Sequence, residues 1–205
     1  MNAATVCEKG SGKFRLQRYA TYIADLCEQN GTVIRPVWIP RCLNNVADSI
    51  SKMVDYEDYS VSHDFFHLAQ QITGFVPDFD RFANNMNTKC DQFNSATFCV
   101  GSVGVNAYNY HWGYGAKNWL FPPPRLVAQT VRYLQSCNGV GLLITPQWKS
   151  SSFYPLLMSF ENTHVLKGKW AFHGRNIFCK GADASSCFGP EFTGTVELWL
   201  LDFNH

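Results

Sequence analysis

The chain is short of charge. Of 205 residues only 16% are Asp, Glu, Lys or Arg, and the formal net charge is +1. That balance argues against a dedicated nucleic-acid-binding module, which carries a strong basic excess or a basic stripe. Two cysteines two residues apart are also missing, although there are eight cysteines, so no zinc ribbon is indicated. The opening MNAATVCEKGSGK has no apolar core and is not a secretory leader. Reduced thiols in a cytoplasmic or nuclear setting are therefore expected, and a loop flanked by Cys179 and Cys187 is read the same way. No apolar run approaches the roughly twenty residues of a membrane span, so no membrane partner is expected. A glycine-rich cofactor loop, a phosphate loop, a Ser-His-Asp order and internal repeats are likewise not visible.

Apolar and aromatic residues are abundant, at 46% and 15%, enough to build a core and to exclude a disordered chain. Helical spacing of Leu16, Tyr19, Ala20, Ile23, Leu26 and Cys27 predicts a helix over Phe14 to Gln29 with one buried stripe, stopped by Asn30-Gly31. Val33 to Ile39 reads as a strand closed by Pro40, and Asn44 or Asn45 as the cap of a helix reaching Met53. Ser60 or Ser62 caps a helix that places Phe65, Phe66, Leu68, Ala69 and Ile72 inside and ends at Gly74.

Strand-like stretches then alternate with helical ones. Phe75 to Phe82, Phe93 to Val100 and Val103 to Tyr110 are extended, as is the alternating aromatic series Tyr108, Tyr110, Trp112, Tyr114 and Trp119. That series suits a strand with one buried face, or a surface for stacking bases. A helix runs from Arg125 to Cys137. Gly139 to Thr145 has the continuous apolar character of a buried parallel strand, and Phe153 to Phe160 is a further helix. Strands near Lys169 to Phe172 and Thr195 to Phe203 close the chain. The alternation implies an α/β fold with a mostly parallel sheet.

Two segments carry a family resemblance. The first is Gly10-Ser11-Gly12-Lys13, then Trp38-Ile39-Pro40-Arg41, then Asn44-Asn45-Val46-Ala47-Asp48-Ser49-Ile50-Ser51-Lys52. It resembles the last third of a retroelement ribonuclease H domain, and Asp48 falls on the family's last metal-binding carboxylate. Hydrolysis by two Mg²⁺ ions needs several carboxylates converging on the pair. The others lie upstream of this segment in the family, so no ribonuclease activity is expected of this chain alone, and Asp48 would serve a helix start.

The second begins with Asp55-Tyr56-Glu57-Asp58-Tyr59. It continues through Asp80-Arg81-Phe82-Ala83, Asn106-Ala107-Tyr108, Phe121-Pro122-Pro123 and Gly141-Leu142-Leu143-Ile144-Thr145-Pro146-Gln147-Trp148. This series is similar to the region after ribonuclease H in DIRS-type tyrosine-recombinase retrotransposon polyproteins, which itself resembles phage-type DNA adenine methyltransferases. The resemblance implies an S-adenosylmethionine pocket near Asp80, Asn106, Pro122 and Pro123. It departs from the family where Phe121 replaces the Asp or Asn that accepts the adenine amino group, and where Pro124 replaces the aromatic that stacks on the base.

The expected organisation is a truncated ribonuclease H-like segment at 1–53, a linker at 54–61 and a three-layer α/β domain with a methyltransferase-like sheet at 62–205. Three functions stay open. One is a retrotransposon-derived reverse transcriptase/ribonuclease H fragment without catalysis of its own, able to self-associate through its uncovered apolar faces. Another is an S-adenosylmethionine-dependent methyltransferase-like enzyme. The third is a nucleic-acid-binding module that uses Lys9, Lys13, Arg15 and Arg18 on an RNA–DNA hybrid or DNA. A metal pair at His63 and His67 is a weaker expectation than an exposed helix face, because the motif lacks the glutamate of a zinc protease.

Overall fold

The computed structural model describes residues 3–37, 40, 59–180 and 187–204. The chain divides into two compact units, 1–53 and 54–205.

In the first unit, α1 (Ala3–Lys9) is followed by α2 (Phe14–Gln29). The predicted bounds of α2 hold. Its start is braced by Gln17, whose Oε1 accepts the Ser11 N–H at 2.8 Å. Its end is closed by Asn30 Nδ2 donating to the Leu26 carbonyl at 2.7 Å, with Gly31 at φ +57° beyond. The expected buried stripe does not form: no residue of α2 is buried, and Phe14 and Tyr19 are 77% and 50% exposed. The seven-residue α1 is too short to cover a sixteen-residue helix. Nor do 33–37 form a strand. Val33 and Val37 are exposed, and a lone extended segment has no ladder to satisfy its backbone. Asp48, the predicted helix from Asn44 or Asn45 to Met53, and the acidic stretch 55–58 lie outside the described residues.

The second unit is a three-layer α/β domain. Its elements are β1 (Ser60–Val61), α3 (His63–Thr73), β2 (Phe79–Asp80), β3 (Gln92–Ser95), β4 (Gly104–Val105), β5 (Lys117–Leu120), α4 (Val127–Ser136), β6 (Val140–Pro146), α5 (Tyr154–Met158), β7 (Leu166–His173), β8 (Phe178–Cys179) and β9 (Thr195–Asp202). Seven strands form one sheet in the order β4-β3-β2-β5-β6-β9-β7. The first five are mutually parallel, and β9 runs antiparallel to both β6 and β7. β1 and β8 make a separate antiparallel pair.

Both faces of the sheet are covered, which is why β6 reads as a continuous apolar run. Alternation divides its side chains. Leu142 and Ile144 join Trp119, Val196 and Leu198 in a core beneath Phe65, Phe66 and Ala69 of α3. Leu143 joins Leu120, Trp199 and Leu201 on the other face, under Val127, Val131 and Leu134 of α4 and Leu157 of α5.

The ends of α3 follow the sequence signals. Ser62 Oγ accepts the Phe65 N–H at 3.2 Å, and Gly74 takes the left-handed cap at φ +65°. Leu68 and Ile72, expected inside, are 41% and 38% exposed. Tyr59 and Val61, within the stretch expected as a linker, are buried in this core.

The aromatic series 108–119 is not one strand. Residues 107–109 form a 3-10 turn, and positive φ at Tyr114 and Gly115 reverses the chain before β5. Trp112 and Trp119 are buried, whereas Tyr114 is 94% exposed. Cys179 and Cys187 are free thiols. Among the described residues no helix is long and apolar enough to cross a membrane.

Candidate functional site

From β2 the chain moves outward to β3 and β4, then crosses back to β5 on the other side of β2. Such a reversal opens a crevice at the carboxyl ends of the strands, where doubly wound sheets bind ligands. A cavity of about 300 Å³ lies there. Its walls come from the residues after β2 (Arg81 to Asn84), the end of β3 (Ser95 to Thr97), the 3-10 turn (Asn106 to Tyr108), Phe121 and Pro123 after β5, and Arg125 and Leu126 ahead of α4.

Of the four residues expected at a cofactor pocket, Asn106 and Pro123 line this cavity. Asn106 holds φ +60°, unusual for a residue other than glycine. Its Oδ1 accepts the Tyr108 N–H at 3.2 Å, and its own N–H donates to the Ser95 carbonyl at 2.8 Å. It thus joins the end of β3 to the turn that presents Tyr108. Pro122 is buried beside the cavity and does not line it.

Asp80 lies one step behind. It is 4% exposed and borders a small adjoining space with Lys89, Trp119 and Phe121. Its Oδ1 accepts the Phe82 N–H at 3.3 Å and its Oδ2 the Lys89 N–H at 3.0 Å. Burial pushes its carboxyl up to about 6, against these two backbone bonds, which pull it down. Desolvation also lowers the Lys89 ammonium, whose Nζ donates to the Asn87 carbonyl at 3.0 Å. A titrating carboxyl at a strand end next to a crevice is the arrangement binding and catalytic sites use.

Phe121 stands where the methyltransferase resemblance requires a hydrogen-bond acceptor. It is 6% exposed, stacked on Phe178 with centroids 5.4 Å apart and planes 8° from parallel, and edge-on to Tyr59 at 5.2 Å. Its ring belongs to the core under α3, so it offers a cavity wall and no polar atom. Pro124, in the place of the stacking aromatic, starts the 3-10 turn that leads into α4. The cavity obtains half-buried aromatics elsewhere, from Phe82 and from Tyr108, which stacks on Trp112 at 5.5 Å and shares a 2.9 Å hydrogen bond with Thr130.

Sequence reasoning passed over Arg81. It is 3% exposed, yet its Nε donates to Asn118 Oδ1 at 2.7 Å and its Nη1 to Asn94 Oδ1 at 2.8 Å. The guanidinium lies 4.2 Å from the Phe79 ring centroid. Asn118 passes the bonding on, donating through Nδ2 to the carbonyls of Trp112 and Val140 at 2.9 and 2.8 Å. One side chain therefore ties together β2, β3 and β5 at the crevice floor. The available signal was a charge directly after Asp80 at the end of a predicted strand.

The other sequence candidates are elsewhere. Lys9 ends α1, Lys13 precedes α2, and Arg15 and Arg18 lie on α2, all exposed in the first unit. His63 and His67 are exposed on α3. Among the described residues no three His, Cys, Asp or Glu side chains converge as a metal site would need. No protein-family model matches the chain, and no curated protein matches it either.

Proposed function

We propose that the second unit is a ligand-binding domain of the methyltransferase type. It would hold an adenosine-type nucleoside in the crevice at the ends of β2, β3 and β5, without transferring a methyl group to adenine. The observation that carries this reading is the cavity's position. It lies at the switch point of a sheet whose parallel strands follow a doubly wound nucleotide-binding order, with β9 inserted antiparallel between β6 and β7. That insertion is the placement a methyltransferase-like sheet would have. Phe121 carries the second half of the reading, since a buried phenyl ring cannot accept the amino hydrogens of a target base. In this reading the chain descends from a DIRS-type retrotransposon polyprotein and keeps the binding fold while the transfer chemistry is gone.

The test is calorimetric titration of the full chain with adenosine and with S-adenosylmethionine, together with transfer of a labelled methyl group to adenine-containing DNA. Saturable nucleoside binding without label in the DNA is expected. Label in the DNA would sink the non-catalytic half, and no heat with either ligand would sink the binding half.

Nucleic acid is a separate ligand for the first unit. Lys13, Arg15 and Arg18 are exposed at the start of α2, which has no carboxylate in its first turn. Binding of an RNA–DNA hybrid or DNA there would weaken steeply with salt. Loss of that binding in a Lys13→Ala/Arg15→Ala/Arg18→Ala variant is the expected outcome.

A further inference from the structure

We propose that the switch-point cavity takes an anionic nucleotide, an aromatic base carrying a phosphate, in preference to a sulfonium nucleoside such as S-adenosylmethionine. This rests on the reading that the cavity is a nucleoside site, and charge then selects among nucleosides. Among the described residues that line it, the charged ones are Arg81 and Arg125, and none is a carboxylate. Among the described residues Arg81 is held by neutral groups. Its hydrogen-bond partners are the neutral amides of Asn94 and Asn118, and its ring neighbours are Phe79 and Trp112. No ion pair to it exists among the described residues. A buried guanidinium without a counter-ion is costly, and burial lowers its proton affinity to about 10. A ligand anion in the cavity would relieve that cost, and a ligand cation would add to it.

Two further features point the same way. The ten-residue helix α4 begins at the cavity, where Leu126 is both its cap residue and part of the wall. The positive end of its dipole favours a negative group there. Phe82, Tyr108 and Phe121 supply aromatic wall for a base. The volume of about 300 Å³ is at the small end of ligand pockets, matching one nucleotide better than a dinucleotide. Asp80, next to Arg81 in the chain, borders the adjoining space and not this cavity, and is held by two backbone N–H groups.

The experiment compares adenosine, adenosine 5′-monophosphate, S-adenosylmethionine and a short oligodeoxyadenylate by calorimetry on the full chain. At least tenfold tighter binding of the monophosphate or the oligonucleotide than of adenosine is expected, and the tighter of the two identifies a free nucleotide or a strand as the source. The phosphate preference should shrink at least fivefold in Arg125→Gln, a surface change. It should shrink also in Arg81→Gln, provided thermal unfolding shows that variant folded. Equal affinity for adenosine and its monophosphate would overturn the inference and leave the nucleoside reading standing, as would tighter binding of S-adenosylmethionine. Absence of binding by all four ligands would overturn both.

Discussion

Replacing Asp80 with asparagine should flatten the pH dependence of stability between about pH 4 and pH 6. The Asp80 carboxyl is moved from an ordinary value of 3.8 to about 6 by burial, its two backbone hydrogen bonds notwithstanding. At about 1.4 kcal/mol for each tenfold change in proton affinity, the fold disfavours the ionised form by about 3 kcal/mol. At 4% exposure solvent screening removes little of that. The direction follows from linkage, because the folded state binds the proton more tightly than the unfolded chain. The stabilising contribution is complete below pH 3.8, declines as pH rises, and is gone above about pH 6. An amide in place of the carboxyl cannot ionise, so that decline should vanish in Asp80→Asn. The amide keeps one acceptor for two N–H donors, from Phe82 and Lys89. The variant should therefore be less stable than wild type near pH 4 by about 1–3 kcal/mol, the cost of an unsatisfied donor. The two proteins should converge or cross by pH 7. Urea unfolding at half-unit intervals from pH 4 to 7.5 measures the difference between the curves, which cancels every other titrating group. A wild-type-minus-variant difference that stays constant across this window would refute the reasoning.

Lys169 bridges Glu161 at 2.8 Å and the buried Glu197 at 3.4 Å, over the Trp199 ring. Lys169→Met should cost about 3–5 kcal/mol in urea unfolding by stranding a buried carboxylate, and adding Glu197→Gln should recover most of the loss. Ser62→Ala removes the cap of α3 and should lower stability by about 1 kcal/mol, read by thermal unfolding. Phe178→Ala deletes a ring that is 1% exposed and stacked on Phe121. It should cost about 3–5 kcal/mol and weaken nucleoside binding, since Phe121 forms part of the cavity wall. A loss below about 1 kcal/mol in urea unfolding would mean that the aromatic cluster is not close-packed.

Local chemistry by itself determined the punctuation of this protein. Ser62 and Gly74 bound α3 because a hydroxyl cap and a left-handed glycine act within one turn of chain. The period of the apolar residues marked α2 and α4, and the continuous run at β6 signalled a strand buried on both faces. The order of short motifs also brought Asn106 and Pro123 to notice as residues of one site, on the strength of a resemblance. What a one-dimensional pattern does not contain is the partner. The apolar stripe of α2 is at most half-buried, at Ala20, Ile23, Leu26 and Cys27, and 33–37 stays unpaired, because burial and pairing need a second surface, and the first unit supplies only α1 among its described residues. Trp112 and Tyr114 alternate alike in the sequence, yet one is buried and the other exposed, because the chain reverses between Trp112 and β5. The functional crevice belongs wholly to tertiary structure. Only the return of the chain from β4 to β5 across β2 creates the cavity, brings Arg81 within reach of Asn94 and Asn118, and withdraws Asp80 from water far enough to change when it ionises. Burial and unpaired charge are properties of the assembled surroundings, so they arise when these strands meet.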